Sequence, residues 1–179
     1  MQKSQPHIVW INGAFGTGKT TAAKLLAQEY PGAAIVDPEE VGSLLRPVLQ
    51  PVVPVRDFQE WPAWRTLVAS MLNAVLQELP EEAPTVIVPQ TVTVEDYWSE
   101  ITSALDSSVN LTPVVLNIDQ AQHRRRTEGD FDEPDARQWR LTKFSVFKKA
   151  EWLRHSFIGI DVSKLSPAET AAAIRAVSF

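Results

Sequence analysis

Eight consecutive residues constrain this chain more than any others: Gly13-Ala14-Phe15-Gly16-Thr17-Gly18-Lys19-Thr20. They fit the pattern G-x-x-x-x-G-K-[ST] and follow directly on the apolar run Ile8-Val9-Trp10-Ile11. An apolar strand, a glycine-rich turn and a helix from Lys19 to Glu29 form the setting in which such a loop cradles an anion. The glycines free the backbone to turn successive N–H groups inward, and the helix start adds unpaired donors and a positive dipole end. Residues Gly13 to Thr21 are thus expected to hold a nucleoside triphosphate. Lys19 would sit on its β- and γ-phosphates and the Thr20 hydroxyl on Mg²⁺.

The rest of the chain supports a single domain over residues 1–179. A net charge of −5 argues against general nucleic-acid affinity, which needs clustered basic residues. The absence of cysteine excludes disulfides, thiolate chemistry and cysteine-bound zinc. His7, His123 and His155 show no metal-ligand spacing and are expected to be structural or exposed. No segment approaches the roughly 20 apolar residues of a membrane span. The head Met1–Gln5 lacks the apolar core of a signal peptide, so a cytoplasmic location is expected.

Short apolar runs at about 7–12, 33–36, 85–88, 113–118 and 157–160 alternate with helical patterns. Helices are expected over 19–29, from an Asp37 cap to Arg46-Pro47, and from about 57 or 62 to Leu79. Three more are expected over 95–105 with Thr93 as cap, over 120–127 and over 135–153, and a last one opens at a capping box on Ser166. Gln50 to Val55 reads as an extended connector, and the acidic stretch 128–134 as a mobile loop within a lid at about 120–140. Strands that are apolar throughout belong to parallel sheets covered on both faces. The expected fold is α/β: a P-loop three-layer sandwich, with a five-stranded parallel sheet, helices on both faces and a small lid.

Ligands collect at the carboxyl ends of such strands. Asp37 ends strand 2, expected beside strand 1, where its carboxylate would accept a substrate proton or hold Mg²⁺ through water. It is also a good helix cap. Strand 3 ends Val88-Pro89-Gln90, without the acid that many P-loop proteins use to orient the metal, so Mg²⁺ would rest on Thr20, phosphate oxygens and water, with Asp37 behind. Asn117-Ile118-Asp119 is not a guanine reader. Arg124-Arg125-Arg126, with Arg137 and Arg140, suits a lid that stabilises a transferring phosphoryl group. Three adjacent arginines cannot all face one way, so Arg124 or Arg126 is the expected catalytic group; a solvated helix end explains them equally. The stretch 56–65 offers Asp57, Phe58, Trp61, Trp64 and Arg65 as a wall for a planar, hydroxylated substrate, joined by Gln90, unless the two tryptophans only pack. Trp10, Trp98, Trp139 and Trp152 are assigned to packing.

Four blocks carry a resemblance: Ile11-Asn12-Gly13-Ala14-Phe15-Gly16-x-Gly18-Lys19-Thr20, Asp37-Pro38-Glu39-x-x-Gly42-x-x-x-Arg46, Asp57-Phe58-Gln59-x-x-Pro62-x-Trp64-Arg65 and Ile87-Val88-Pro89-x-Thr91. In this order they resemble the ATP-binding tunicamycin-resistance proteins of bacteria, over roughly residues 8–105; beyond that the likeness is one of layout. That family is similar in fold to nucleoside-monophosphate and shikimate kinases. The resemblance implies ATP with Mg²⁺ and protection against tunicamycin, a nucleoside antibiotic bearing sugars and an acyl chain. The means of protection stays open. The chain phosphorylates a hydroxyl of the drug or a related compound, or it sequesters the drug with little turnover, or it is a housekeeping nucleoside or sugar kinase.

Overall fold

The computed structural model describes residues 5–82, 84–128 and 137–179, with the side chains of all but 137–140. β1 (His7–Gly13) is buried at all seven positions. Successive strand residues face opposite sides, so both faces of the sheet are covered there. Around β1 lie β2 (Ala34–Ile35), β3 (Thr85–Val88), β4 (Asn110–Asn117) and β5 (Ile158–Asp161), all parallel, in the order β2-β3-β1-β4-β5. The chain leaves central β1 for one edge and later crosses to the other side, which puts the topological switch at the carboxyl end of β1.

The helices are α1 (Lys19–Glu29), α2 (Pro38–Leu49), α3 (Pro62–Glu78), α4 (Glu95–Ser103), α5 (Gln120–Glu128), α6 (Arg137–Lys149), α7 (Leu153–Ser156) and α8 (Pro167–Ser178), with a short 3-10 helix at Phe58–Glu60. α1 packs on α8, and α3 on α2 and α4. No described helix is long and apolar enough to cross a membrane.

The α/β fold and its five parallel strands are as expected, and several local readings are corrected. β2 pairs with β3 and not with β1, so Asp37 follows an edge strand that β3 separates from the phosphate loop's strand. α2 runs past Pro47 to Leu49; the lost N–H falls in its last turns, and Gln50 N closes the helix on Arg46 O at 3.0 Å. The segment after it is a turn and not an extended connector, since Val52 N and Val53 N both donate to Leu49 O. Thr93 does not cap α4, whose N-cap is Val94; its carbonyl instead accepts from the Trp152 indole at 3.0 Å. That bond accompanies the break that ends α6 at Lys149 and restarts the chain as α7. β4 begins at Asn110, before Pro113. Pairing with β5 starts only at Val114, so the proline sits where that side of the strand is still open. Of the stretch 128–134, read as a mobile loop, Glu128 is the last residue of α5 and 129–134 lie outside the described residues, as do the side chains of Arg137, Trp139 and Arg140.

Candidate active site

The phosphate loop emerges from β1 and is held from beneath. The Asn12 carboxamide accepts from Gly13 N at 2.8 Å and donates to Val92 O at 2.8 Å. The Thr91 hydroxyl donates to Gly13 O at 2.6 Å. The segment after β3 therefore fixes the loop's entry. Gly16 and Gly18 have φ of 81° and 92°, the left-handed region that favours glycine, and at Gly13 a Cβ would lie 2.8 Å from Thr17 Oγ1. Thr17 ties the turn by donating to Ala14 O at 2.8 Å. Such a loop, opening α1 at Lys19, suits the oxygens of a triphosphate.

A cleft of about 540 Å³ opens over the loop. Phe15, Gly16, Gly18, Lys19, Thr20 and Thr21 line it on one side; Asp37, Glu39, Arg46, Arg56, Asp57, Phe58, Gln59, Pro89 and Gln90 complete it. Gly13, Ala14 and Thr17 form the loop's buried underside. The Lys19 ammonium folds back onto Gly13 O at 3.0 Å and Ala14 O at 3.1 Å. Burial lowers its pKa to about 8, against the opposing fields of Glu39 and Asp37. An arriving phosphate would offer this buried cation a stronger partner than two neutral carbonyls. Thr20 is exposed and free to meet a metal bound with the nucleotide. Among the described residues no group of three or more His, Asp or Glu could hold a metal by itself.

Asp37 lines the cleft and also caps α2, accepting from Glu39 N at 3.0 Å. Asp57 and Phe58 line it as well, Asp57 through a capping box on the 3-10 helix. Gln90 is fully buried at the cleft; its Nε2 donates to Thr91 O at 3.0 Å, and Oε1 has no partner.

Trp61, Trp64 and Arg65 do not line the cleft. Trp64 is wholly buried, with its indole N–H on Pro38 O at 2.9 Å and its ring 5.2 Å from that of Phe58. Trp61 is buried with its N–H on Val53 O at 2.9 Å. Arg65 pairs with Glu100, donates to Gln59 O and lies over the Tyr97 ring. These three brace the wall from behind.

Neither Arg124 nor Arg126 lines the cleft. Arg124 is exposed and pairs with Glu128 at 3.1 Å along α5. Arg126 donates to Thr17 O, Val162 O and Leu165 O at 3.1, 3.0 and 3.3 Å. It lines a separate depression of about 250 Å³ with Gly16, Thr17, Gly18, Thr21, Leu165, Pro167 and Thr170. This depression adjoins the loop beside the segment after β5, and Arg126 forms one of its walls.

Several contributors escaped the residue-by-residue reading. Arg46, Gln59 and Thr91 stand inside the quoted blocks, and Arg56 begins the stretch read for aromatics; their side chains carried no motif of their own. His123 anchors the loop from α5: its ring, 4.0 Å from that of Phe144, puts Nε2 2.8 Å from Phe15 O. A carbonyl only accepts, so Nε2 carries the proton. Burial lowers the histidine's pKa, with Lys19 adding to the effect and the bond to Phe15 opposing it.

Comparisons agree with this geometry. The AAA domain family matches residues 8–139. No curated protein sequence matches the chain significantly. Among solved structures, the tunicamycin resistance protein of Deinococcus radiodurans is 25% identical, over 96% of this chain and 94% of that one, with a TM-score of 0.68. A sugar kinase from a Janibacter species is 20% identical, over 97% and 94%, with a TM-score of 0.62. A gluconokinase from Sinorhizobium meliloti is 16% identical, over 99% and 95%, with a TM-score of 0.61. With its phosphate loop at the switch point of an all-parallel sheet and the family match spanning well over half its length, the chain belongs to the AAA domain family and has the fold of P-loop kinases.

Proposed function

We propose that this protein is an ATP-dependent phosphotransferase that acts on a hydroxyl of a small molecule, with a tunicamycin-like nucleoside antibiotic as the first acceptor to test. One observation carries the reading: a single cleft joins the phosphate loop and buried Lys19 to a carboxylate, Asp37, and to a polar wall outside the nucleotide's footprint. A protein that only bound nucleotide would need no such second half. Likeness to the Deinococcus tunicamycin resistance protein supports the choice of acceptor.

In this reading the loop, Lys19 and Thr20 hold Mg²⁺·ATP, which supplies the phosphoryl group. Asp37 orients the acceptor hydroxyl and takes its proton as the new O–P bond forms and the bond to the ADP oxygen breaks. Lys19 stabilises charge on the transferring group. The lid expected at about 120–140, of which residues 129–136 lie outside those described, is read as part of the same domain, with Arg126 on the nucleotide side.

Sequestration of the drug is the second reading. Gln90 favours it, because a neutral amide stands where an acid would orient the metal. Incubation with ATP, Mg²⁺ and tunicamycin followed by mass spectrometry separates the two. A gain of one phosphate with the natural protein and none with Lys19→Ala supports transfer. Unchanged drug that co-purifies with the ATP-loaded protein supports sequestration. Unchanged, unbound drug removes tunicamycin as the ligand.

A further inference from the structure

Besides Lys19, two more cations line the cleft. Arg46, in the last turn of α2, and Arg56, ahead of the 3-10 helix, both line it and are exposed. Among the described residues neither guanidinium makes a hydrogen bond or an ion pair, whereas the acids nearby are engaged. Asp57 takes Lys143 at 3.0 Å, and the fields of Asp37 and Glu39 fall on Lys19. With Asp57 taken by Lys143, Lys19, Arg46 and Arg56 face Asp37 and Glu39, which leaves one positive charge over and both guanidiniums without a direct partner.

A lone unpaired arginine on a convex surface needs no explanation, and Arg46 gains something from the end of its helix. Arg56 has no such role. Two unpaired guanidiniums in one concavity, on a chain of net charge −5, give that wall a small local positive excess. Guanidinium forks match carboxylate and phosphate oxygens. A neutral sugar or nucleoside would leave both unanswered.

We propose that the acceptor is a small hydroxylated anion, a sugar acid or sugar phosphate, whose charged group is held by Arg46 and Arg56. The proposal rests on the phosphotransferase reading and departs from a neutral nucleoside antibiotic as its acceptor.

To test it, the nucleotide site is filled with Mg²⁺ and the non-hydrolysable analogue AMPPNP, so that no second anion settles on the phosphate loop. Calorimetry then compares gluconate with glucitol, and glucose 6-phosphate with glucose. At least one anion should bind about tenfold or more tightly than its neutral counterpart, and Arg46→Met and Arg56→Met should each remove about tenfold of that affinity. The gluconate and phosphate arms show which anionic group is preferred. Equal affinity for charged and neutral probes, no anion binding, or anion binding indifferent to both substitutions overturns the proposal. A loss confined to AMPPNP affinity does so too, by assigning the arginines to the triphosphate. Transfer from ATP is followed in parallel. Arginine-dependent anion binding without any phosphate gained keeps the anion site and removes the phosphotransferase reading. Phosphate gained by a neutral sugar, at a rate neither substitution changes, keeps that reading and overturns the anionic acceptor.

Discussion

Lys143 on α6 donates to Asp57 Oδ2 at 3.0 Å, joining that helix to the wall of the cleft. The other oxygen of Asp57 caps the 3-10 helix through Gln59 N at 3.1 Å, so one carboxylate orients Phe58 and Gln59 and ties them to α6. Both partners are about a third exposed, at 30% and 31%, and the pair is worth less than about 1 kcal/mol of stability. Lys143→Met should therefore leave thermal unfolding nearly unchanged while raising the acceptor KM several-fold. A large loss of stability with an unchanged KM would make the contact a structural one.

Lys19 carries a pH dependence. The unfolded chain holds this proton up to its ordinary value of 10.5, whereas burial brings the folded value to about 8. Between these values the unfolded state binds more protons, so the contribution of Lys19 to stability rises with pH across the window, and its penalty is fully present below about 8. Nucleotide phosphates favour the charged form. Near about pH 9, ATP binding should then take up a proton, read as a dependence of the calorimetric heat on the buffer's ionisation enthalpy. Heat that is independent of buffer at that pH would contradict the assignment.

Lys19→Ala and Asp37→Asn separate binding from chemistry. Loss of the ammonium should abolish measurable ATP affinity together with turnover. Asparagine caps a helix as well as aspartate does, so Asp37→Asn should fold and bind ATP normally while turnover falls by about 10²–10⁴. Undiminished turnover in that variant would leave Asp37 a cap only.

The wall behind the cleft should answer through stability. Trp64→Ala removes a wholly buried indole and its bond to Pro38 O, at about 3–5 kcal/mol. At Gly42 a Cβ would lie 2.6 Å from the Phe58 ring, so Gly42→Ala must push that ring toward the cleft, at about 1–3 kcal/mol. Chemical denaturation measures both; a Trp64→Ala protein of unchanged stability would contradict the packing seen here.

The phosphate loop was legible because its requirements are local: glycines, a lysine and an apolar strand in fixed sequence. The strands were legible because burial on both faces makes them apolar at every position. The neighbour of β2 was not, since pairing order is decided by packing and leaves no trace in a two-residue strand. Trp61 and Trp64 would read the same as a ligand wall or as core. Their N–H groups are satisfied by Val53 O and Pro38 O, backbone partners that no spacing rule exposes. Arg126 likewise finds three carbonyls on distant segments, and so its place beside the loop could not be read from a run of three arginines.

Phosphoryl transfer is tested most directly with ATP radiolabelled at its γ-phosphate, Mg²⁺, and tunicamycin alongside gluconate and glucose 6-phosphate as acceptors, resolved by chromatography. The label should move to one acceptor with the natural protein, not at all with Lys19→Ala, and far more slowly with Asp37→Asn. Label that stays on ATP, or that reaches inorganic phosphate at the same rate with and without every acceptor, would contradict a phosphotransferase.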